Sequence, residues 1–70
     1  MTTKIKSEIA GNVWKVEAAS GATVAEGEVI LIMESMKMEI PVEAPKAGVV
    51  TVLVSEGQSV QEGDVLAELA

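Results

Sequence analysis

Glu28-Val29-Ile30-Leu31-Ile32-Met33-Glu34-Ser35-Met36-Lys37-Met38-Glu39-Ile40-Pro41-Val42-Glu43 reads as two strands with nothing between them that ordinarily turns a chain. The run from Val29 to Met33 is extended and apolar, and beyond Lys37 the residues Met38, Ile40 and Val42 alternate with Glu39, Pro41 and Glu43 at strand period. The chain must reverse between them. Two-residue hairpins favour Asn-Gly, Asp-Gly or Gly-X, because their central positions need positive φ, which costs a long side chain ~1–2 kcal/mol per residue. Here the central pair is Met36-Lys37, with neither Gly nor Asn. That register sets Ser35 opposite Met38 and Glu34 opposite Glu39, and like charges directly across a ladder oppose the hairpin by a further ~0.2–1 kcal/mol. Approach of the Lys37 ammonium to both carboxylates is the expected relief. Alternation points Val29, Leu31 and Met33 inward, with Ile40 and Val42 as partners. A chain that breaks its turn chemistry at one lysine and obeys it elsewhere is marked there for function.

Outward from the hairpin the chain repeats itself. Gly21-Ala22-Thr23-Val24-Ala25-Glu26-Gly27-Glu28-Val29-Ile30 and Gly57-Gln58-Ser59-Val60-Gln61-Glu62-Gly63-Asp64-Val65-Leu66 share Gly-x-x-Val-x-Glu-Gly-acid-Val-aliphatic at an offset of 36 residues. Upstream, Gly11 to Val16 matches Gly48 to Leu53 at an offset of 37, so the first copy holds one extra residue. Each half reads as strand, glycine turn, short bend and strand, with no helical period, which predicts many short strands closed into a sandwich or flattened barrel with a quasi-twofold axis. Under that symmetry the hairpin's counterpart falls at Ala70. The lysine is therefore expected at one end of the sandwich and the two termini together at the other, with Pro45 and Gly48 bracketing the crossover between halves. Gly27 and Gly63 read as turn formers, since no phosphate-binding helix follows them. Glu26, Glu62 and Asp64 read as solvated turn positions, and Trp14 as core or half-buried edge.

Composition narrows the function. Seventy residues make one domain, 1–70, near the size at which folding buries only ~60% of the unfolded surface. Phe, Tyr, Cys and His are all absent, so the core is aliphatic and there is no disulfide, no thiolate nucleophile, no zinc ribbon and no imidazole base. An autonomous active site is not expected, because a Ser-Lys dyad also needs an enclosed oxyanion hole. A net charge of −6 opposes nucleic acid and anionic membranes. No apolar run approaches the ~20 residues of a membrane-spanning helix, and Met1-Thr2-Thr3-Lys4 opens no signal peptide. The expectation is a soluble cytoplasmic protein, monomeric in isolation, that binds neither nucleic acid nor membrane.

From the residues alone, Lys37 is either an exposed turn lysine that balances its acidic neighbours or a lysine presented for modification by another protein, flanked by methionines that offer soft contact surface. Glu34-Ser35-Met36-Lys37-Met38-Glu39 resembles the motif of the biotinyl domain family, the biotin carboxyl carrier domains of biotin-dependent enzymes, in which Met-Lys-Met follows an acidic and a small residue. Gly11, the Gly21–Val29 turn and strand, Pro45, Gly48 and the Gly57–Leu66 segment fall at that family's recurrent positions, so the resemblance covers nearly the whole chain. It implies an all-β hammerhead of two four-stranded antiparallel sheets. It further implies biotin in amide linkage to Lys37, attached by a biotin protein ligase that consumes ATP and recognises Glu34, Ser35, Met36, Met38 and Glu39. The partners implied are a biotin carboxylase and a carboxyltransferase, with an acyl-CoA carboxylase such as acetyl-CoA carboxylase as the expected enzyme type, and no bond-making by the carrier itself.

The chain departs from the family at Ser35, where many members carry Ala. It also lacks a thumb insertion between Val13 and Gly27 and a Pro/Ala-rich arm before Glu8, which is the pattern of a short, free-standing carrier or an excised domain. Modification removes one positive charge and takes the net charge of −6 to −7, which is expected to loosen the hairpin if the lysine was holding its two glutamates. The alternatives are a lipoyl carrier, whose lysine usually follows Asp, and an unmodified acidic interaction module.

Overall fold

The computed structural model describes residues 2–70, and Met1 lies outside them. Eight strands follow one another: β1 (Thr3–Lys6), β2 (Gly11–Val16), β3 (Thr23–Val24), β4 (Val29–Ser35), β5 (Met38–Glu43), β6 (Gly48–Val52), β7 (Ser59–Val60) and β8 (Val65–Leu69). They form two four-stranded antiparallel sheets, ordered β1-β8-β6-β3 and β5-β4-β2-β7. Exchanging β1 with β5, β8 with β4, β6 with β2 and β3 with β7 converts one sheet into the other, as the sequence repeat requires.

The equivalence extends to individual hydrogen bonds. Gly21 N–H donates to the Val50 carbonyl and Gly57 N–H to the Val13 carbonyl, each at 2.6 Å. Glu28 Oε1 accepts from Ala25 N–H at 3.0 Å, and Asp64 Oδ2 accepts from Gln61 N–H at 2.8 Å, closing two matching turns. Asp64 is the solvated turn position expected, and its carboxylate also closes the turn. Gly27 and Gly63 serve the same turns with φ of 84° and 90°, a left-handed conformation that a β-carbon disfavours.

The offset of 37 that shortens to 36 has a structural cause. Between Val13 and Lys15 the β2–β4 register slips, so that Trp14 is an extra residue unmatched on β4, whereas β6 pairs with β8 without interruption. The inserted residue of the first copy is a β-bulge. Trp14 is 46% exposed and lies beyond the two residues of β2 that β7 covers, Gly11 and Asn12, so of the two expected placements it takes the half-buried one and is not core.

A second bulge corrects the predicted core. Leu31 and Met33 are buried and face Val42 and Ile40 as alternation requires, but Val29 is only half-buried and Ile30 is fully buried. The β4–β5 register slips between Val29 and Leu31, and the extra residue turns two consecutive side chains, Ile30 and Leu31, into the interior. The second copy does the same with Leu66 and Ala67. Around these pack Val13, Val24, Met33, Val50, Val60 and Leu69, an aliphatic interior with no aromatic ring.

Thr3 pairs with Leu69, so the described ends of the chain are neighbours. Strand β5 runs from Met38 at the turn to Glu43, and residues 44–47 carry the chain to Gly48, which packs against the Ala70 carbonyl. The hairpin tip and the chain ends therefore occupy opposite ends of the sandwich. No helix of the described residues is long and apolar enough to cross a membrane.

Candidate functional site

The β4–β5 ladder continues without a break through Glu34↔Glu39 and Ser35↔Met38, leaving Met36 and Lys37 as the two central residues of the turn. Their φ values are 53° and 64°, the only positive ones among the described non-glycine residues. Two left-handed centres give the twist that matches the right-handed twist of the flanking strands. The turn is the strained one that the sequence predicts, and the strain sits on the lysine and the methionine before it. Met36 is 91% and Met38 64% exposed, while Met33, two residues before Ser35, is buried.

What holds such a hairpin in place lies at its base. Ser35 Oγ donates to the Ala10 carbonyl at 3.0 Å, tying the last residue of β4 to the connection between β1 and β2. Beside it Gly11 lies so close that a β-carbon there would come within 2.6 Å of the Glu34 carbonyl oxygen. The hydroxyl that departs from the family's usual alanine thus has a partner, and only the serine in place of alanine hinted at it. The Ser7–Ala10 connection is itself pinned, for Ser7 is buried and its hydroxyl contacts the Ile9 carbonyl and the Met33 sulfur.

The expected ion pairs at the tip do not form. Among the described residues the salt bridge joins Lys15 to Glu17 at 3.7 Å, and Lys37 reaches neither Glu34 nor Glu39 within bonding distance. A left-handed residue at the turn centre directs its side chain off the end of the ladder, whereas Glu34 and Glu39 stand on its outer face. The lysine amine is therefore solvated and unencumbered, and the loosening expected from loss of a lysine–glutamate clamp has no clamp to lose. An exposed primary amine on a fixed scaffold is a group that an external enzyme can surround and acylate. No group of three or more His, Cys, Asp or Glu among the described residues could hold a metal ion. A groove between Ile5 and Ile9 on one side and Ile40 and Val42 on the other is bordered by Lys6, Glu8 and Glu43 and does not include Met36 or Lys37.

Substituting Met36 by Asn, which tolerates φ near 53°, is expected to stabilise the fold by ~0.5–1 kcal/mol, because Asn relieves part of the left-handed penalty. A urea midpoint that rises with unchanged slope is the expected result.

The described residues thus form a quasi-symmetric β-sandwich with a solvated lysine at the tip of a strained hairpin. The family model described as "Biotin-requiring enzyme" matches residues 1–69. The biotin/lipoyl attachment protein of Bacillus subtilis is 48% identical over 71 residues, spanning 100% of this chain and 94% of that protein. The biotinylated protein TB7.3 homolog of Mycobacterium leprae is 41% identical over 71 residues and covers 100% of both chains. Among solved structures, the urea carboxylase of Kluyveromyces lactis superposes with a TM-score of 0.93 and 37% identity over 100% of this chain and 6% of that one. The chain belongs to the biotin/lipoyl attachment family. It is a biotin carboxyl carrier domain of the kind found in biotin-dependent carboxylases.

Proposed function

We propose that Lys37 is the residue that carries biotin, in amide linkage from its Nζ, and that residues 1–70 act as one biotinyl domain. The observation that supports this most is the pair of left-handed φ values at Met36 and Lys37, because a fold of this size tolerates such strain only where it places a side chain that must be placed. The unpaired, solvated amine fits acylation by a biotin protein ligase, and Met36 and Met38 give that enzyme adaptable apolar contacts on both sides of it. Glu34, Ser35 and Glu39 complete the recognised hairpin.

Bound biotin supplies the carboxyl-carrying ring. The chain's own residues hold the attachment point away from the body of the domain, so that the tethered ring searches locally between a biotin carboxylase and a carboxyltransferase. Tethering of this kind reaches effective concentrations of about millimolar when the span fits. The protein contributes delivery and orientation, and the cofactor contributes the chemistry. The enzyme served is read as an acyl-CoA carboxylase operating in the cytoplasm.

Lipoate on the same lysine is the second reading, favoured by the combined biotin/lipoyl description of the Bacillus relative and opposed by Met36 in place of Asp before the lysine. Incubation of the unmodified chain with biotin protein ligase, ATP and biotin tests the main reading. Stoichiometric incorporation that requires ATP is expected. Incorporation by a lipoate ligase but not by the biotin enzyme would transfer the assignment to lipoate.

A further inference from the structure

The internal symmetry supplies a built-in control, because two copies of one fold have had the same structural demands placed on their surfaces. Their outer faces nevertheless differ. In the sheet β1-β8-β6-β3 the cross-strand row is Lys4↔Glu68↔Thr51, which is polar throughout. The matching row of the sheet β5-β4-β2-β7 is Pro41↔Ile32↔Lys15, and the bulge adds Trp14 beside it, on a strand whose counterpart has no such residue. Val13 before the bulge is buried, whereas Trp14 and Lys15 are both exposed and Lys15 pairs with Ile32, so Trp14 stands with Lys15 on the face of Ile32. Trp14, Ile32 and Pro41 make an apolar centre that nothing in the fold requires. Around it on the same face stand Glu34, Glu39 and Glu43, while Lys15, the one cation on that face among the described residues, is engaged with Glu17. An apolar centre with a polar rim is the anatomy of a protein interface, and tryptophan is among the residues enriched in its anchors.

We propose, resting on the assignment of Lys37 as the biotin site, that this face is the docking surface for the ligase. The position of the chemistry identifies that occupant. Ile32 lies three residues from Ser35 along β4, or ~10 Å, and Glu34 and Glu39 at the base of the turn stand on this same face. An enzyme that reads those two carboxylates while its reacting centre closes around the Lys37 amine therefore extends over it. An enzyme acting on a biotin ring at the end of the extended side chain stands further from the domain and has no such obligation. The acidic rim requires a basic rim on the ligase, and the Trp14 ring requires an apolar pocket within it.

Steady-state biotinylation of the unmodified chain provides the test. Trp14→Ala is expected to raise KM for the carrier by ~10–30-fold with kcat changed less than about twofold, and Trp14→Phe to restore most of the loss. Val49→Ala is the matched control, since Val49 is 43% exposed on the other outer face and its truncation should leave KM unchanged. Higher ionic strength should raise KM for the wild type. Amide spectra of each variant establish that the fold is kept, as expected for a side chain nearly half in solvent. An unchanged KM in Trp14→Ala overturns the proposal, as does an equal rise in Val49→Ala. A Trp14→Ala chain that is loaded normally but carboxylated poorly also overturns it, by moving the surface to the carboxylase. Refusal of the wild-type chain by the ligase would instead overturn the assignment of Lys37 on which the proposal rests.

Discussion

Lys37→Arg is expected to abolish covalent loading completely while leaving the fold and its stability unchanged. Arginine retains the charge and the length of the side chain, and it meets the same left-handed φ of 64° at the same cost as lysine. What it lacks is a deprotonatable amine, since the guanidinium stays charged at any pH the fold survives and offers no nucleophilic lone pair. The substitution therefore separates the chemistry of the tip from its geometry. Four other lysines remain in the chain, Lys4, Lys6, Lys15 and Lys46, and none stands at a hairpin centre. Intact mass after exposure to ligase, ATP and biotin should show a full increment in the wild type and none in Lys37→Arg, with coincident urea transitions for the two. An increment surviving in Lys37→Arg would show that another lysine is the acceptor.

Leu31→Ala is expected to have the opposite signature, losing the fold and the loading together. Leu31 is fully buried, sits at the bulge where β4 turns two successive side chains inward, and pairs with Val16 on β2 and Val42 on β5. Truncating a leucine in such a place removes ~2–5 kcal/mol. A core in a chain of this length rarely supplies more than ~3–5 kcal/mol, and here no disulfide adds to it. The variant should show no cooperative urea transition at 37 °C and should be a poor ligase substrate because the turn is no longer presented. A native-like circular dichroism spectrum with a midpoint close to the wild type would mean that the interior collapses around the missing side chain more fully than an all-aliphatic core is expected to.

Much of this architecture was legible in the amino-acid sequence, and the parts that were not share one cause. The two-residue turn, its strain and the pairing of Glu34 with Glu39 followed from alternation and from the absence of Gly or Asn, both local signals. The symmetry followed from the spacing of the glycines. The bulges escaped, because a register slip leaves no mark in a run such as Val29-Ile30-Leu31-Ile32-Met33, where every residue is apolar and the period cannot be seen. In the first copy the slip did leave a trace, a single extra residue, but the sequence match carried Gly11–Val16 intact and so placed it after Val16, whereas the strand registers make Lys15 and Val16 equivalent to Thr51 and Val52 and put the extra residue at Trp14. Long-range polar contacts escaped for a different reason. The Ser35 hydroxyl meets a backbone carbonyl 25 residues away, and a carbonyl has no side-chain identity to read. The clamp expected between Lys37 and its glutamates failed because alternation gives the side of the ladder on which a residue lies but not where a left-handed residue at its end directs its side chain.

The same strain links the fold to the function. A turn of Asn-Gly would close this hairpin with less penalty, so the fold alone gives no reason for Met36-Lys37, and the lysine needs the left-handed conformation to stand clear of the ladder. The serine tie to Ala10 and the close approach of Gly11 then keep the tip from relaxing. These features bear on presentation of one amine, and none bears on its reactivity.

Peptide mapping of the protein purified from a host that supplies both biotin and lipoate tests that account most directly. A single biotin increment confined to the peptide bearing Met36-Lys37-Met38 is the predicted result. No increment, a lipoyl increment, or biotin on any other lysine would contradict it.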